Sequence, residues 1–161
     1  MYRTLLTIGT LLLAILLMGA CAPATTPVLV PQSANLVNAI ITVDAGSYYS
    51  INFYVDTNKM HNVAVSGSFT ASGGSGNDIV VLILDDIAFT NWVNGHSVMA
   101  LYNSGQITTD RINVPITASG RYYLVFSNRF SIISTKKVST MIDLQWSELQ
   151  YRRSYNTEPT I

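Results

Sequence analysis

Few residues in this chain have side chains suited to catalysis, and their spacing keeps them apart. The sequence holds two histidines, His61 and His96, and a single cysteine, Cys21. Each histidine falls in a polar turn, "NKMHN" or "NGHS", without a neighbouring histidine or paired carboxylate. General acid–base chemistry needs a positioned group within hydrogen-bond reach of its target, and a lone loop histidine reads as a solvated side chain. No serine sits in a G-x-S-x-G elbow. The run "SGGSGND", Ser72 to Asp78, has the glycines of a phosphate loop. It lacks the Lys-Ser/Thr and the following helix, so it reads as a hairpin turn. Asp78, Asp85 and Asp86 offer the oxygen ligands that Ca²⁺ prefers. They bracket the apolar run Ile79–Leu84, however, and at about 3.3 Å per residue its two ends stand about 20 Å apart. One shared ion is not expected. These readings predict no catalytic residue, no metal site, no cofactor and no enzyme activity.

Composition narrows the partners. The chain has 161 residues, nine Lys+Arg against nine Asp+Glu, and only 11% charged residues. That length supports one domain with a core of its own. A nucleic-acid binder carries a basic stripe, and none is present, so no nucleic-acid partner is expected. The pairs Lys136-Lys137 and Arg152-Arg153 read as solvated faces. One cysteine makes neither an internal disulfide nor a zinc site.

Cys21 has a different chemistry in prospect. Arg3 supplies a positive start, Leu5 to Leu17 is an uncharged apolar run, and Met18-Gly19-Ala20 leads into the cysteine. This is the layout of an export signal and is short for a membrane span. The stretch "LLMGAC" resembles the bacterial lipobox, with Gly19 and Ala20 at the small positions and Met18 where leucine is usual. The resemblance implies a signal peptide over 1–20 and a lipidated Cys21 that carries acyl chains such as palmitate. A plain secretory signal cleaved near Ala22 or Ala24, and an uncleaved anchor, are the weaker readings. Removing residues 1–20 takes away Arg3 and no acid, leaving eight cations against nine anions. On net charge, acyl chains rather than electrostatics attach such a chain to the membrane. Pro23, Pro27 and Pro31 recur every four residues, so residues 21–35 read as an extended tether rather than a fold element. The resulting localisation is the cell envelope, on the outer side of the cytoplasmic membrane or in the outer membrane, facing away from the cytoplasm.

The elements that must position any site are strands. Tyr49, Ile51, Phe53 and Val55 alternate with polar residues, as do Val63, Val65 and Phe69. Ile79–Leu84 is apolar on both faces and reads as a central strand. Asp85 suits a helix N-cap, with Ile87, Phe89 and Trp92 as the apolar side of a short helix. A strand is predicted around Val98–Tyr102. Ile112, Val114 and Ile116 alternate again, and Pro115 points to a sheet edge. Val138, Thr140, Ile142, Leu144 and Trp146 give a last clear strand. The pattern predicts an all-β antiparallel sandwich over 36–149, jelly-roll-like, with a loose polar tail over 150–161.

The stretch "GRYYLVFSNRFSIISTKKV" carries a second resemblance. Gly120, Tyr122, Leu124, Phe126, Asn128, Phe130, Ser131, Lys136 and Val138 are spaced as in the last third of a GOLD domain. Ser127 stands where that family commonly has aspartate. The resemblance implies a β-sandwich that makes protein or lipid-related contacts, without enzyme activity. Ser127-Asn128-Arg129 reads as a structural break, with Phe126 and Phe130 inward and Arg129 facing water. The expected function is a membrane-anchored lipoprotein whose sandwich binds an unidentified protein or envelope component. The alternative is a small-ligand or glycan binder using Trp92, Tyr102 and Tyr54 as stacking surfaces. For Trp92, a core position at the end of the sandwich is the stronger expectation.

Overall fold

A computed structural model describes residues 25–153. Residues 1–24, with the expected signal segment and Cys21, and 154–161 lie outside the described residues. The elements in chain order are β1 (Thr25–Val43), β2 (Tyr48–Val55), β3 (His61–Ser72), β4 (Ile79–Asp85), α1 (Asp86–Val93), β5 (Tyr102–Ile107), β6 (Thr109–Pro115), β7 (Gly120–Ser127) and β8 (Lys136–Arg153). They form two four-stranded sheets, ordered β1-β8-β3-β6 and β2-β7-β4-β5. Every strand pair is antiparallel. The chain is an all-β sandwich.

The inward residues of both sheets make one core. Val65, Phe69, Ile112, Val138 and Ile142 meet Val55, Ile79, Val81, Leu124 and Phe126 across the gap. The ring of Phe69 meets that of Phe126 edge-on, with centroids 6.4 Å apart. β4 is buried on its other face too, as a doubly apolar strand must be. Leu82 and Leu84 pack with Val125 and with Ala88 of α1, so the helix lies over the outside of the second sheet. Asp85 caps α1, its carboxylate accepting from the Ala88 N–H at 2.7 Å. Ile87 departs from expectation: it is 76% exposed. A short helix on a flat sheet buries one narrow stripe, here Ala88, Phe89 and Trp92.

Several boundaries differ from those read in the sequence. Thr25–Gln32 is not a free tether but the first part of β1, paired with Trp146–Arg153 of β8. β1 is an edge strand, where a proline without an N–H is tolerated, and the long alternation of β8 supplies a partner. The same pairing makes Gln150–Arg153 strand rather than loose tail, so the paired structure extends beyond 36–149. Val98–Leu101 is not strand. Val98 and Ala100 pack against the α1 cluster instead, and β5 begins at Tyr102. His61 is the first residue of β3, opposite Ser147, rather than a turn residue.

Two glycines are required by their positions. Gly67 lies in β3 between β6 and β8, and a Cβ there would overlap the Met141 carbonyl oxygen and sit 2.6 Å from Ile142 Cα. Gly95 has φ +82 and turns the chain out of α1.

Candidate functional site

The nine spaced residues from Gly120 to Val138 run along β7, through the β7–β8 loop and into β8, where the chain crosses from one sheet to the other. Gly120 opens β7. The Tyr122 hydroxyl donates to the Ala118 carbonyl at 2.8 Å, and its ring stacks on Phe53 at 5.8 Å. Burial, first, and the charge of Asp85, second, raise the Tyr122 pKa. Leu124, Phe126 and Val138 are core residues. Asn128 is wholly buried. Its Nδ2 donates to the Val43 carbonyl at 3.1 Å and the Ser134 carbonyl at 2.8 Å. Its backbone N–H donates to Ser47, and its carbonyl accepts from Gly46 and Ser131. Asn128 Oδ1 makes no hydrogen bond among the described residues. Asn128 thus ties the end of β1, the β1–β2 turn and the β7–β8 loop together.

Lys136 overturns the reading of a solvated basic pair. It is 3% exposed, because the first inward position of β8 falls on it and β3–β4 folds over it. Its Nζ donates to the Gly73 carbonyl and to Asp78 Oδ1, each at 2.8 Å. That hydrogen bond holds the Asp78 carboxyl below its ordinary pKa. The glycine-rich run therefore closes over a buried ammonium group. Its sequence signal was Asp78 alone, and nothing local pairs residues 58 positions apart.

Phe130 is not inward. It is 36% exposed, with Lys136 Nζ 5.8 Å from its ring centroid. The bend at Asn128 ends the strand, so the two-residue alternation does not continue across it. Beyond it the loop is held by its own groups: the Ser131 hydroxyl donates to the Ser134 carbonyl at 3.0 Å and accepts from the Ser134 N–H at 3.1 Å. The Thr135 hydroxyl donates to Asp44 at 3.2 Å. On this braced loop Ile132 and Ile133 are 91% and 89% exposed. The sequence carried a signal for this. Adjacent apolar residues in "SIIS" cannot both face one side of a strand.

The proposed aromatic contacts do not form one surface. Trp92 is half-buried over the second sheet, in edge contact with Tyr48 at 5.1 Å. Arg129 lies on the Trp92 ring, its guanidinium carbon 4.9 Å from the centroid, and donates to the Trp92 carbonyl at 3.0 Å. The ring face is thereby occupied. A groove of about 330 Å³ beside it is lined by Trp92, His96, Gln106, Arg129 and Phe130, among others. Tyr102 packs against the sandwich core, and its hydroxyl donates to Asp110 across the gap between β5 and β6 at 2.6 Å. Burial and then this carboxylate push the Tyr102 pKa well up, and the same bond lowers that of Asp110. Tyr54 stands alone and exposed on β2.

No family model matches this chain, and no curated protein matches it. Among the described residues, no group of three or more His, Cys, Asp or Glu is placed to hold a metal ion, and no helix is long and apolar enough to cross a membrane. His61 is half-buried at the start of β3, and His96 is exposed beside α1. The exposed apolar side chains of the Phe130–Ser134 loop adjoin a groove that Arg129 and Phe130 help to line.

Proposed function

We propose that this chain is an extracytoplasmic lipoprotein, held at a membrane by acyl chains on Cys21, whose β-sandwich is a non-catalytic protein-interaction module. The contact surface is the β7–β8 loop with Phe130, Ile132 and Ile133. One observation carries this reading. β1 starts four residues after Cys21 and ends at Val43, opposite Lys136, the residue that closes the β7–β8 loop. At about 3.3 Å per residue, the 18 steps of β1 set the two ends about 60 Å apart. An anchor at Cys21 therefore turns the exposed isoleucines away from the membrane. Exposed aliphatic side chains at a braced tip suit a protein partner, which removes them from water. The likeness to GOLD domains supports the same class of function: Phe126, Asn128, Phe130, Ser131 and Lys136 of that motif stand at the loop, and Gly120, Tyr122 and Leu124 lie along β7.

The test is site-specific photo-crosslinking in the lipidated full chain, with the crosslinker at Ile132 and, as control, at Ile87, which is also exposed. The expected result is one discrete crosslinked protein from position 132 and none from 87. It disappears when Ile133→Asp is added, with no change in melting temperature. Equal products from both positions contradict the assignment of this surface.

A further inference from the structure

β1 and β8 leave the sandwich together. β3 pairs with β8 only as far as His61 opposite Ser147, while β1 and β8 stay paired to Thr25 opposite Arg153. Thr25–Val30 and Glu148–Arg153 thus form a two-stranded ribbon, which at about 3.3 Å per residue projects about 20 Å. Such a ribbon has no core of its own. Opposed residues share a face, so Pro27 with Tyr151 and Leu29 with Leu149 make an apolar strip. Leu29 and Leu149 are exposed, and Tyr151 is 68% exposed. Arg152 and Arg153 stand exposed at the tip. The ribbon's one acid, Glu148, lies at the root and accepts from Trp146 Nε1 at 3.0 Å.

The length of chain before Thr25 decides what covers this tip. A chain spans at most about 3.6 Å per residue, so the four steps from Cys21 hold Thr25 within about 14 Å of it. Arg153, paired with Thr25, shares that height. We propose that the ribbon tip lies on the bilayer. Arg152 and Arg153 meet the phosphates of anionic lipid headgroups, and Tyr151, Leu149 and Leu29 sit at the boundary with the acyl chains. The proposal rests on acylation of Cys21. Guanidinium matches phosphate in two-point geometry, and a tyrosine ring suits the interfacial layer. The small net negative charge of the mature chain does not oppose this, because charges beyond about 10 Å are screened at 0.1 M salt. The ribbon then acts as a short post that fixes the tilt and height of the sandwich.

The experiment uses the acylated full chain in phosphatidylcholine vesicles, with and without phosphatidylglycerol, whose acyl chains are brominated to quench nearby indoles. Tyr151→Trp is compared with Ile132→Trp, each read as the difference from the wild type with its own Trp92 and Trp146. The expected result is quenching for Tyr151→Trp and none for Ile132→Trp. Adding Arg152→Gln and Arg153→Gln to Tyr151→Trp reduces the quenching in vesicles containing phosphatidylglycerol. Mass spectrometry of the same samples reads the acyl chains. A chain without them overturns both the anchored reading and this proposal. An acylated chain with an unquenched Tyr151→Trp indole, or with equal quenching at 132, overturns this proposal alone. Quenching unaffected by the two arginine substitutions overturns the phosphate contact.

Discussion

Asn128 and Lys136 are the residues on which the loop depends, and each makes a separate prediction. Asn128→Leu removes both Nδ2 bonds; the Val43 carbonyl loses its side-chain donor, while the Ser134 carbonyl keeps the Ser131 hydroxyl. An unpaired buried polar group costs about 1–3 kcal/mol, and a loss in that range is expected in chemical denaturation. Arg129→Ala removes an exposed contact over Trp92 and should cost only about 0.5–1 kcal/mol. Asp78 predicts a pH dependence. Its pKa is lowered by the Lys136 hydrogen bond, so its contribution is present above the unfolded value of about 3.9. That contribution is lost as pH falls through the lower folded value. In Asp78→Ala this part of the acid sensitivity should vanish. At neutral pH the same change strands the buried Lys136 ammonium and should cost about 3 kcal/mol. Denaturation midpoints from neutral pH to strong acid check both parts. The sequence reading placed Asn128 at a break and expected its side chain to bond nearby backbone groups. The partners themselves were not legible, because they come from β1 and from later in the loop.

At the scale of elements, the sheet interior and the ribbon behave oppositely. Gly67→Ala should be severe, above about 3 kcal/mol, because β6 and β8 flank β3 and the added carbon meets the backbone of β8. A melting curve shifted by many degrees, or no folded protein, is the expected outcome. Removing the ribbon should do little. The first buried side chain of β1 is Val37, so residues 34–150 retain the core and should still melt cooperatively as a β protein. Circular dichroism and a thermal melt check this. The strands were legible where one face is apolar, as in β2, β3 and β8, because burial on one side imposes a period of two. The ribbon was not legible, because proline signals an extended chain and does not distinguish a free tether from an edge strand. Val98 and Ala100 misled for a related reason: they are buried under α1 as irregular chain, which an apolar pattern cannot separate from strand.

On the proposed reading a lipid anchor lies at one end of the molecule and an exposed apolar loop at the other, with the sandwich between them as a spacer. The aromatic contacts were not legible in the sequence, since Trp92, Tyr102 and Tyr54 take unrelated positions only once the sheets are paired. Everything about orientation depends on Cys21, which precedes β1 by four residues. The most direct measurement is metabolic labelling with a fatty acid, comparing wild type with Cys21→Ala in the organism's own cells. Label in the wild type and none in the variant is expected. Equal label in both, or none in either, would contradict acylation of Cys21.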